Sequence, residues 1–291
     1  MDVLELVELE SWDASVPEQL HVLTTGALEN GRILFMPRLR FPIQDQESEL
    51  LSPQFSDGKA KNISFDAPTG RLGGAGGGEP GEQRLKVMLG RYAAQARMLA
   101  EKLLPRYQGA LLTGRTSFRP VEIAGRSSSY RKDDTRLHVD AFPATPVGVR
   151  RILRVFSNIH PSTDRVWRVG APFEEVAQRF LPRARKQMWF EPAALRLLRI
   201  TKTRRTGYDH AMLELHDRMK ADLAYQSGVA QTEVRFPAGS TWIVFTDQVS
   251  HAAMSGQHAL EQTFYLPVEA MVDSSRSPLR ILERLSESRL V

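Results

Sequence analysis

The stretch Leu137-His138-Val139-Asp140-Ala141-Phe142-Pro143 places a histidine and an aspartate two residues apart among apolar neighbours. The alternation predicts a strand over residues 137–142. Side chains two apart on a strand point to the same face, so His138 and Asp140 converge on one point. Such a pair can bind a metal ion, or it can be a strand-end histidine hydrogen-bonded to a carboxylate.

A third ligand would have to come from a distant strand. His251 follows an apolar strand that ends at Phe245. Two histidines and one carboxylate on one face of a metal leave open positions, the arrangement of non-haem Fe(II) oxygenases. His258, seven residues later, is the best substitute third ligand.

Composition limits the other possibilities. The chain has 291 residues and no cysteine, which excludes disulfides and thiolate ligands. No apolar run is long enough for a membrane span, and the acidic start argues against a secretory signal, so a cytoplasmic location is expected. The net charge of +5 suits either a solvated surface or an anionic partner such as an anionic substrate, a membrane surface or nucleic acid.

The pattern along the chain predicts an α+β fold. Helices are expected at residues 82–104 and 209–225, the latter with Asp209 as a possible N-cap, and in a short segment opened by Ser277 and Pro278. Strands are expected at 32–36, 152–159, 232–236, 241–245 and 263–268. We therefore expect one domain over residues 1–291, with a β-sandwich or jelly-roll core near 110–272. Residues 44–83, with their run of glycines, are expected to form a flexible polar insert.

Longer stretches resemble a known family. They are residues 115–120 and 136–143, the strand at 151–159, the segment from Tyr208 to Leu213 and the segment from Trp242 to Asp247. These are similar to the 3-deoxy-D-manno-octulosonic acid (Kdo) hydroxylases of Gram-negative bacteria, over roughly residues 26–43 and 82–272.

The resemblance implies a double-stranded β-helix (jelly-roll, cupin-like) with flanking helices. It also implies an Fe(II)- and 2-oxoglutarate-dependent dioxygenase that uses O2 and releases succinate and CO2. The expected substrate is the Kdo sugar of Kdo2-lipid A, hydroxylated at C3 to give the sugar Ko. The family's iron ligands map onto His138, Asp140 and His251.

The 2-oxoglutarate anchor is less evident. Many such oxygenases have an arginine about ten residues after the distal histidine, but residues 259–263 contain no arginine or lysine. Arg154 on the strand after the His-x-Asp motif fits best, and Arg150 is the runner-up on the same face. Arg151 would point away.

Two basic runs could meet the anionic groups of the substrate. The first contains Arg115, Arg119, Arg126, Arg131, Lys132 and Arg136, and the second contains Arg199, Lys202, Arg204 and Arg205. Either run could instead be a solvated loop, and this alternative is stronger for the second run.

The glycolipid substrate implies peripheral contact with the cytoplasmic face of the inner membrane, and no nucleic-acid partner is expected. The terminal segment 278–290, with Leu279, Leu282 and Leu285 on one side, could lie in the membrane interface or pack on the protein. Two alternative functions remain: an oxygenase with another substrate, and a non-catalytic module that binds anionic glycolipid.

Overall fold

Two β-sheets that face one another form the body of the protein. The computed structural model describes residues 2–125 and 129–291. The strands are β1 Leu4–Leu6, β2 Ile33–Met36, β3 Ile63–Asp66, β4 Arg71–Gly73, β5 Leu112–Arg119, β6 Arg150–Asn158, β7 Arg165–Val169, β8 Thr232–Phe236, β9 Thr241–Phe245, β10 His251–Ser255 and β11 Ala259–Pro267. The helices are α1 Glu18–Glu29, α2 Gly78–Leu103, α3 Phe173–Phe180, α4 Glu191–Leu197, α5 Gly207–Ala221, α6 Leu223–Gly228 and α7 Pro278–Ser286, with short 3-10 helices between them.

The larger sheet has the strand order β1-β2-β9-β6-β11-β5-β3-β4, and the smaller has the order β10-β7-β8. Neighbouring strands are antiparallel except for β1 and β2. Aromatic side chains such as Trp167 and Trp242 fill the space between the two sheets. This arrangement confirms the predicted jelly-roll core with flanking helices.

Strand β6 shows how the sequence builds these layers. Leu153 and Val155 point to a core that is shared with the N-terminal helices. Arg154 and Phe156 point the opposite way and line a cavity between the sheets. The period-2 alternation of a strand thus separates packing residues from site residues.

The clearest predicted helix is confirmed as α2, which begins four residues earlier than expected and ends before Pro105. Leu85, Leu89 and Tyr92 lie on its buried face. The Tyr92 hydroxyl also donates a hydrogen bond of 3.1 Å to the carbonyl of Val155. The helix therefore fixes the back of the central strand.

The second predicted helix is divided into α5 and α6, and its cap differs from the prediction. Thr206 is the N-cap residue, and Asp209 is the third residue of the helix in a reciprocal capping box. Asp209 was the wrong choice because its carboxylate serves the cap from inside the first turn.

Residues 137–142 do not form a regular strand, contrary to the prediction. His138 makes an isolated bridge to His251, and the Asp140 amide donates a hydrogen bond of 2.8 Å to the carbonyl of Thr246. The segment is extended but too briefly paired to form a ladder. Strands β5, β7 and β10 were not predicted, and β11 begins four residues before the expected position.

Residues 44–83 contain ordered elements that the sequence analysis did not assign. Strand β3 extends the large sheet by pairing with β5, with Ile63 opposite Phe118, and β4 pairs with β3. Asn62 and Asp66 from this region line the cavity. The segment therefore contributes to the site.

The terminal helix forms as predicted, with Ser277 as its N-cap. Leu279 and Leu282 are fully buried, and Leu285 packs against the same cluster beside α3 and α5. The suggestion that this apolar face lies in a membrane interface is wrong, because the fold already covers it. Within the described residues, no helix is both long and apolar enough to cross a membrane.

Candidate metal centre

His138 and His251 are held together by their own backbones. The amide of each residue donates to the carbonyl of the other, at 3.0 Å and 2.9 Å. The two rings lie with centroids 4.7 Å apart, and Trp167 stacks on His251 at 4.9 Å. Residues 113 positions apart in sequence thus share one point at the edge of the small sheet.

Hydrogen bonds decide which imidazole nitrogen is free. His138 Nδ1 lies 2.8 Å from the Arg136 carbonyl oxygen, and His251 Nδ1 lies 2.8 Å from that of Val249. Since a carbonyl can only accept, each Nδ1 carries the hydrogen. Both Nε2 atoms therefore keep a free lone pair, as a metal-binding histidine requires.

Asp140 completes the group. Its Oδ1 lies 3.7 Å from His138 Nε2, and its Oδ2 lies 3.2 Å from Arg154 Nη1. That Oδ2 atom is buried without a hydrogen-bond partner among the described residues. An oxygen in this state is available to a cation.

The charges of the three groups suit a metal. Burial, together with the neighbouring His251 and Lys220, lowers the pKa of His138 well below its usual value. Burial also lowers the pKa of His251. Burial alone would raise the pKa of Asp140, but Arg154 and the two histidines hold it below its usual range. Two neutral imidazoles and one carboxylate result.

The three side chains offer ligand atoms that all lie within 4.8 Å of one another, which fits one divalent ion. His258, the alternative third ligand, is not in this group. Its ring stacks instead with His160, at 5.2 Å between centroids. The donor set, two imidazoles and a carboxylate with positions left open, is the one that non-haem Fe(II) oxygenases use.

A cavity of about 720 Å³ opens in front of these three residues. Its charged and polar lining residues include Asn62, Asp66, Thr113, Arg115, Ser117, Arg119, Asp134, Arg154, Arg165, Lys202, Glu261, Thr263 and Tyr265. Five of these residues are cationic, and Arg119 and Arg154 are paired with carboxylates of the same cavity. Arg115, Arg165 and Lys202 form no ion pair within the described residues, so these three cations suit an anionic ligand.

Only some of the arginines that were predicted to bind anions line the cavity. Arg115 and Arg119 line the cavity, as does Arg154. Arg131 pairs with Asp217 on the surface, and Arg136 pairs with Asp133.

Three more arginines were considered from the sequence. Arg150 does not line the cavity and bonds to the Val147 carbonyl, whereas Arg151 points away as expected and pairs with buried Asp247. Arg126 lies outside the described residues.

Two further cations belong to the site. Lys202, which was assigned only to a basic run, lines the cavity, and so does Arg165, which the sequence analysis missed. Within the described residues, no carboxylate lies at ion-pairing distance from Arg165, and its Nε is buried without a partner. Burial and the neighbouring Arg119 lower its pKa to about 9, so it remains a cation at neutral pH.

The model of the family described as 3-deoxy-D-manno-oct-2-ulosonic acid (Kdo) hydroxylase matches residues 11–289. The chain belongs to the Kdo hydroxylase family. The chain is similar to the apo structure of the Kdo hydroxylase KdoO, a non-haem Fe(II) alpha-ketoglutarate-dependent dioxygenase. The two share 46% sequence identity and superpose with a TM-score of 0.96, and the match covers 99% of this chain and 97% of the KdoO chain. No curated protein matches the chain.

Two ligand-bound structures of KdoO extend the comparison. One contains alpha-ketoglutarate and Fe(III), with 45% identity and a TM-score of 0.95, and another contains cobalt(II), with 46% identity and a TM-score of 0.96. Each covers 99% of this chain, which spans 97% of the KdoO chain. This Kdo hydroxylase is thus an Fe(II)/2-oxoglutarate-dependent dioxygenase, and its family implies a Kdo-containing glycolipid as the substrate.

Proposed function

We propose that this enzyme hydroxylates the Kdo sugar of Kdo2-lipid A at C3, giving Ko with release of succinate and CO2. The observation that carries the proposal is the juxtaposition of the His138, Asp140 and His251 ligand set with a cavity lined by five cations. A metal site beside a cationic cavity suits a redox reaction on an acidic sugar.

His138, Asp140 and His251 hold the iron in this proposal. When bound, Fe(II) couples O2 reduction to the oxidative decarboxylation of 2-oxoglutarate and supplies the oxidant for a carbon–hydrogen bond. The chain's own task is to orient both substrates and to exclude water. Buried Trp167 and Phe156 line the inner wall of the cavity and serve that exclusion.

Arg165 is the better placed cation for the distal carboxylate of 2-oxoglutarate. It is 3% exposed, lines the cavity and has no carboxylate partner among the described residues. Its Nη1 donates a hydrogen bond of 3.2 Å to the Gly256 carbonyl, but its charge has no carboxylate partner at ion-pairing distance in the described part of the chain. A buried guanidinium in this state is costly, and a bidentate carboxylate would offset that cost. Its neighbour Trp167 stacks on His251, so the site lies close to the metal ligands.

Arg154, the anchor expected from the sequence, is already engaged. Its Nη1 lies 3.2 Å from Asp140 and 3.4 Å from Glu261. We therefore assign Arg154 to orienting the Asp140 carboxylate, and it is the competing candidate for binding 2-oxoglutarate.

The carboxylate of the Kdo sugar needs a further cation. Arg115 and Lys202 line the cavity and form no ion pair within the described residues, whereas Arg119 is bound to Asn62 and Asp134. Arg115 and Lys202 are thus the free candidates for the acidic sugar. Arg131 and Arg136 lie outside the cavity, and a substrate role for them would require contact with more distant parts of the glycolipid.

Succinate release is the direct test of substrate identity. With Fe(II) and 2-oxoglutarate supplied, Kdo2-lipid A should stimulate succinate formation well above the rate without it. Lipid A that lacks Kdo is the matched control and should not stimulate. Equal rates with both lipids would indicate an oxygenase that acts on another substrate.

A further inference from the structure

A short segment outside the metal ligand set holds an unusual concentration of exposed apolar side chains. Fifteen large apolar side chains are exposed within the described residues, and six of these lie in residues 188–200, here named the 188–200 segment. They are Met188, Trp189, Phe190, Leu197, Leu198 and Ile200. Trp189 is 90% exposed and Leu197 is 84% exposed, so the fold makes almost no use of either. Concentrated exposed apolar surface marks an interaction site.

The 188–200 segment is surrounded by positive charge. Residues 183–205 contain eight basic residues and one acidic residue, Glu191. Glu191 is already paired with Arg185. Lys186, Arg196 and Arg199 form no ion pair in the part of the chain that the structure describes. The apolar surface is therefore bordered by free cations.

The residues that directly follow the 188–200 segment are fixed to the lining of the cavity. The Lys202 amide donates a hydrogen bond of 3.0 Å to the carbonyl of Ala144, and Arg205 Nη2 donates one of 2.7 Å to that of Pro143. Pro143, Ala144 and Lys202 all line the cavity. Whatever the segment binds is thereby held beside the cavity entrance.

We propose that the 188–200 segment inserts its apolar side chains into the headgroup boundary of an anionic lipid membrane and so brings the cavity entrance to the lipid headgroups. The inference rests on the proposed function, since only a membrane-anchored substrate needs this placement. Exposed Trp, Phe and Leu flanked by Lys and Arg are typical of interfacial segments. A protein partner would need an acidic patch that matches these cations, whereas an anionic membrane presents negative charge over its whole surface.

Trp189 provides a direct optical probe. The chain has four tryptophans, and Trp12, Trp167 and Trp242 are at most 5% exposed. A change in tryptophan emission on lipid binding therefore reports on Trp189. Insertion should shift the emission to shorter wavelength and permit quenching by lipids brominated on their acyl chains.

The experiment uses the full chain with phosphatidylcholine vesicles that contain or lack phosphatidylglycerol, and no glycolipid. We expect sedimentation with the anionic vesicles, a blue shift, and quenching by brominated lipid. Trp189→Phe should retain vesicle binding and lose the optical signals. Binding without any optical change at Trp189 would overturn the proposal.

Two pairs of variants give matched controls. Trp189→Ser/Leu197→Ser/Leu198→Ser should weaken vesicle partitioning on the order of tenfold or more, whereas Val22→Ser/Val87→Ser/Val272→Ser, at exposed apolar sites elsewhere, should not. Lys186→Glu/Arg196→Glu should weaken partitioning onto anionic vesicles, whereas Lys59→Glu/Arg106→Glu should have a smaller effect on that partitioning. Equal losses within either pair would contradict the proposal.

The alternative partner for the 188–200 segment is a second copy of the chain. Sedimentation velocity without vesicles tests for such a dimer. A dimer that the apolar triple variant converts to monomer would overturn the membrane proposal. The outcome is independent of catalysis, because no glycolipid is present. Vesicle binding without Kdo hydroxylation would refute the proposed function alone, and hydroxylation without vesicle binding would refute this inference alone.

Discussion

At the residue scale, two backbone carbonyls determine which nitrogen of each paired histidine is free to bind a metal. By accepting from Nδ1 of His138 and His251, the carbonyls of Arg136 and Val249 leave both Nε2 atoms for a metal. The His-x-Asp spacing was enough to predict that the His138 and Asp140 side chains converge, because the two residues are close in sequence. His251 could be named as the third candidate only from its place after an apolar strand and from the family resemblance, because the bridge that joins it to His138 is a tertiary contact.

The ligand assignment predicts a sharp difference between neighbouring histidines. His138→Ala, Asp140→Ala and His251→Ala should each abolish turnover and iron binding while circular dichroism stays unchanged. His258→Ala should retain turnover, since His258 packs with His160 away from the ligand set. Full activity in His251→Ala would remove that residue from the metal site.

Arg165 could not have been chosen from the sequence. It sits in Arg165-Val166-Trp167-Arg168-Val169, where two arginines look alike. In the structure Arg165 is buried and Arg168 is exposed. Burial without a carboxylate partner, which only the tertiary structure reveals, is the signal for an anion site.

Steady-state kinetics distinguish Arg165 from Arg154 as the residue that binds the distal carboxylate of 2-oxoglutarate. Arg165→Gln should raise the KM for 2-oxoglutarate by about ten- to a hundredfold, as expected for losing a charge-assisted contact of about 1.5–3 kcal/mol. Arg154→Gln should instead lower kcat and iron occupancy, because it orients Asp140. The reverse pattern would return the anchor role to Arg154.

The buried His258 makes stability depend on pH. Burial, reinforced by His160, lowers its pKa from 6.5 to about 4 in the folded protein. Between these pH values only the unfolded chain binds this proton, so stability is lost as the pH falls through that range. His258→Asn, which tolerates the φ of 56° at this position, should reduce that loss by up to about 3 kcal/mol.

Urea denaturation at about pH 7 and about pH 4 measures this difference. His21→Asn on helix α1 is the control substitution and should leave the pH dependence of the wild type in place. The same pH dependence in wild type and His258→Asn would show that His258 does not cause it.

At the element scale, helix α2 followed from the helical spacing of its apolar residues, and strands β2, β6, β8 and β9 followed from short apolar stretches. Strands β3 and β4 were missed because they are short and lie in a stretch rich in glycine and polar residues. The pairing of β3 with β5, and of β4 with β3, is a tertiary contact that local composition does not encode.

Asp209 gives a prediction at this scale. Besides its cap contacts with Thr206, its Oδ1 accepts from the amides of Val147 at 2.7 Å and Gly148 at 3.0 Å. Thr206→Ala should cost about 1 kcal/mol of unfolding free energy. Asp209→Ala should cost about 2–4 kcal/mol, because it also leaves the two amides unpaired.

Chemical denaturation compares these variants, with Asp209→Asn as the control that keeps an acceptor. Equal costs for Thr206→Ala and Asp209→Ala would mean that the contacts to residues 147 and 148 add nothing. A larger cost in Asp209→Ala would confirm that this helix cap also holds the loop that leads from the cavity rim into β6.

At the scale of the whole molecule, the two sheets place one metal ligand set at the inner end of a cationic cavity, and the 188–200 segment lies at its rim. The jelly-roll core was predictable from the resemblance and from the density of strands after residue 110. The exposed apolar surface was not, because a sequence of Trp, Phe and Leu beside a short helix is equally typical of a buried core. Only the fold distinguishes the two.

In the proposed reaction, this chain inserts an oxygen atom from O2 into Kdo through the His138, Asp140 and His251 site. Mass spectrometry of the sugar after incubation of Kdo2-lipid A with Fe(II), 2-oxoglutarate and isotopically heavy O2 tests it directly. We predict one added heavy oxygen on Kdo, and none with His251→Ala. Succinate release with an unmodified sugar, or an added oxygen derived from water, would contradict the claim.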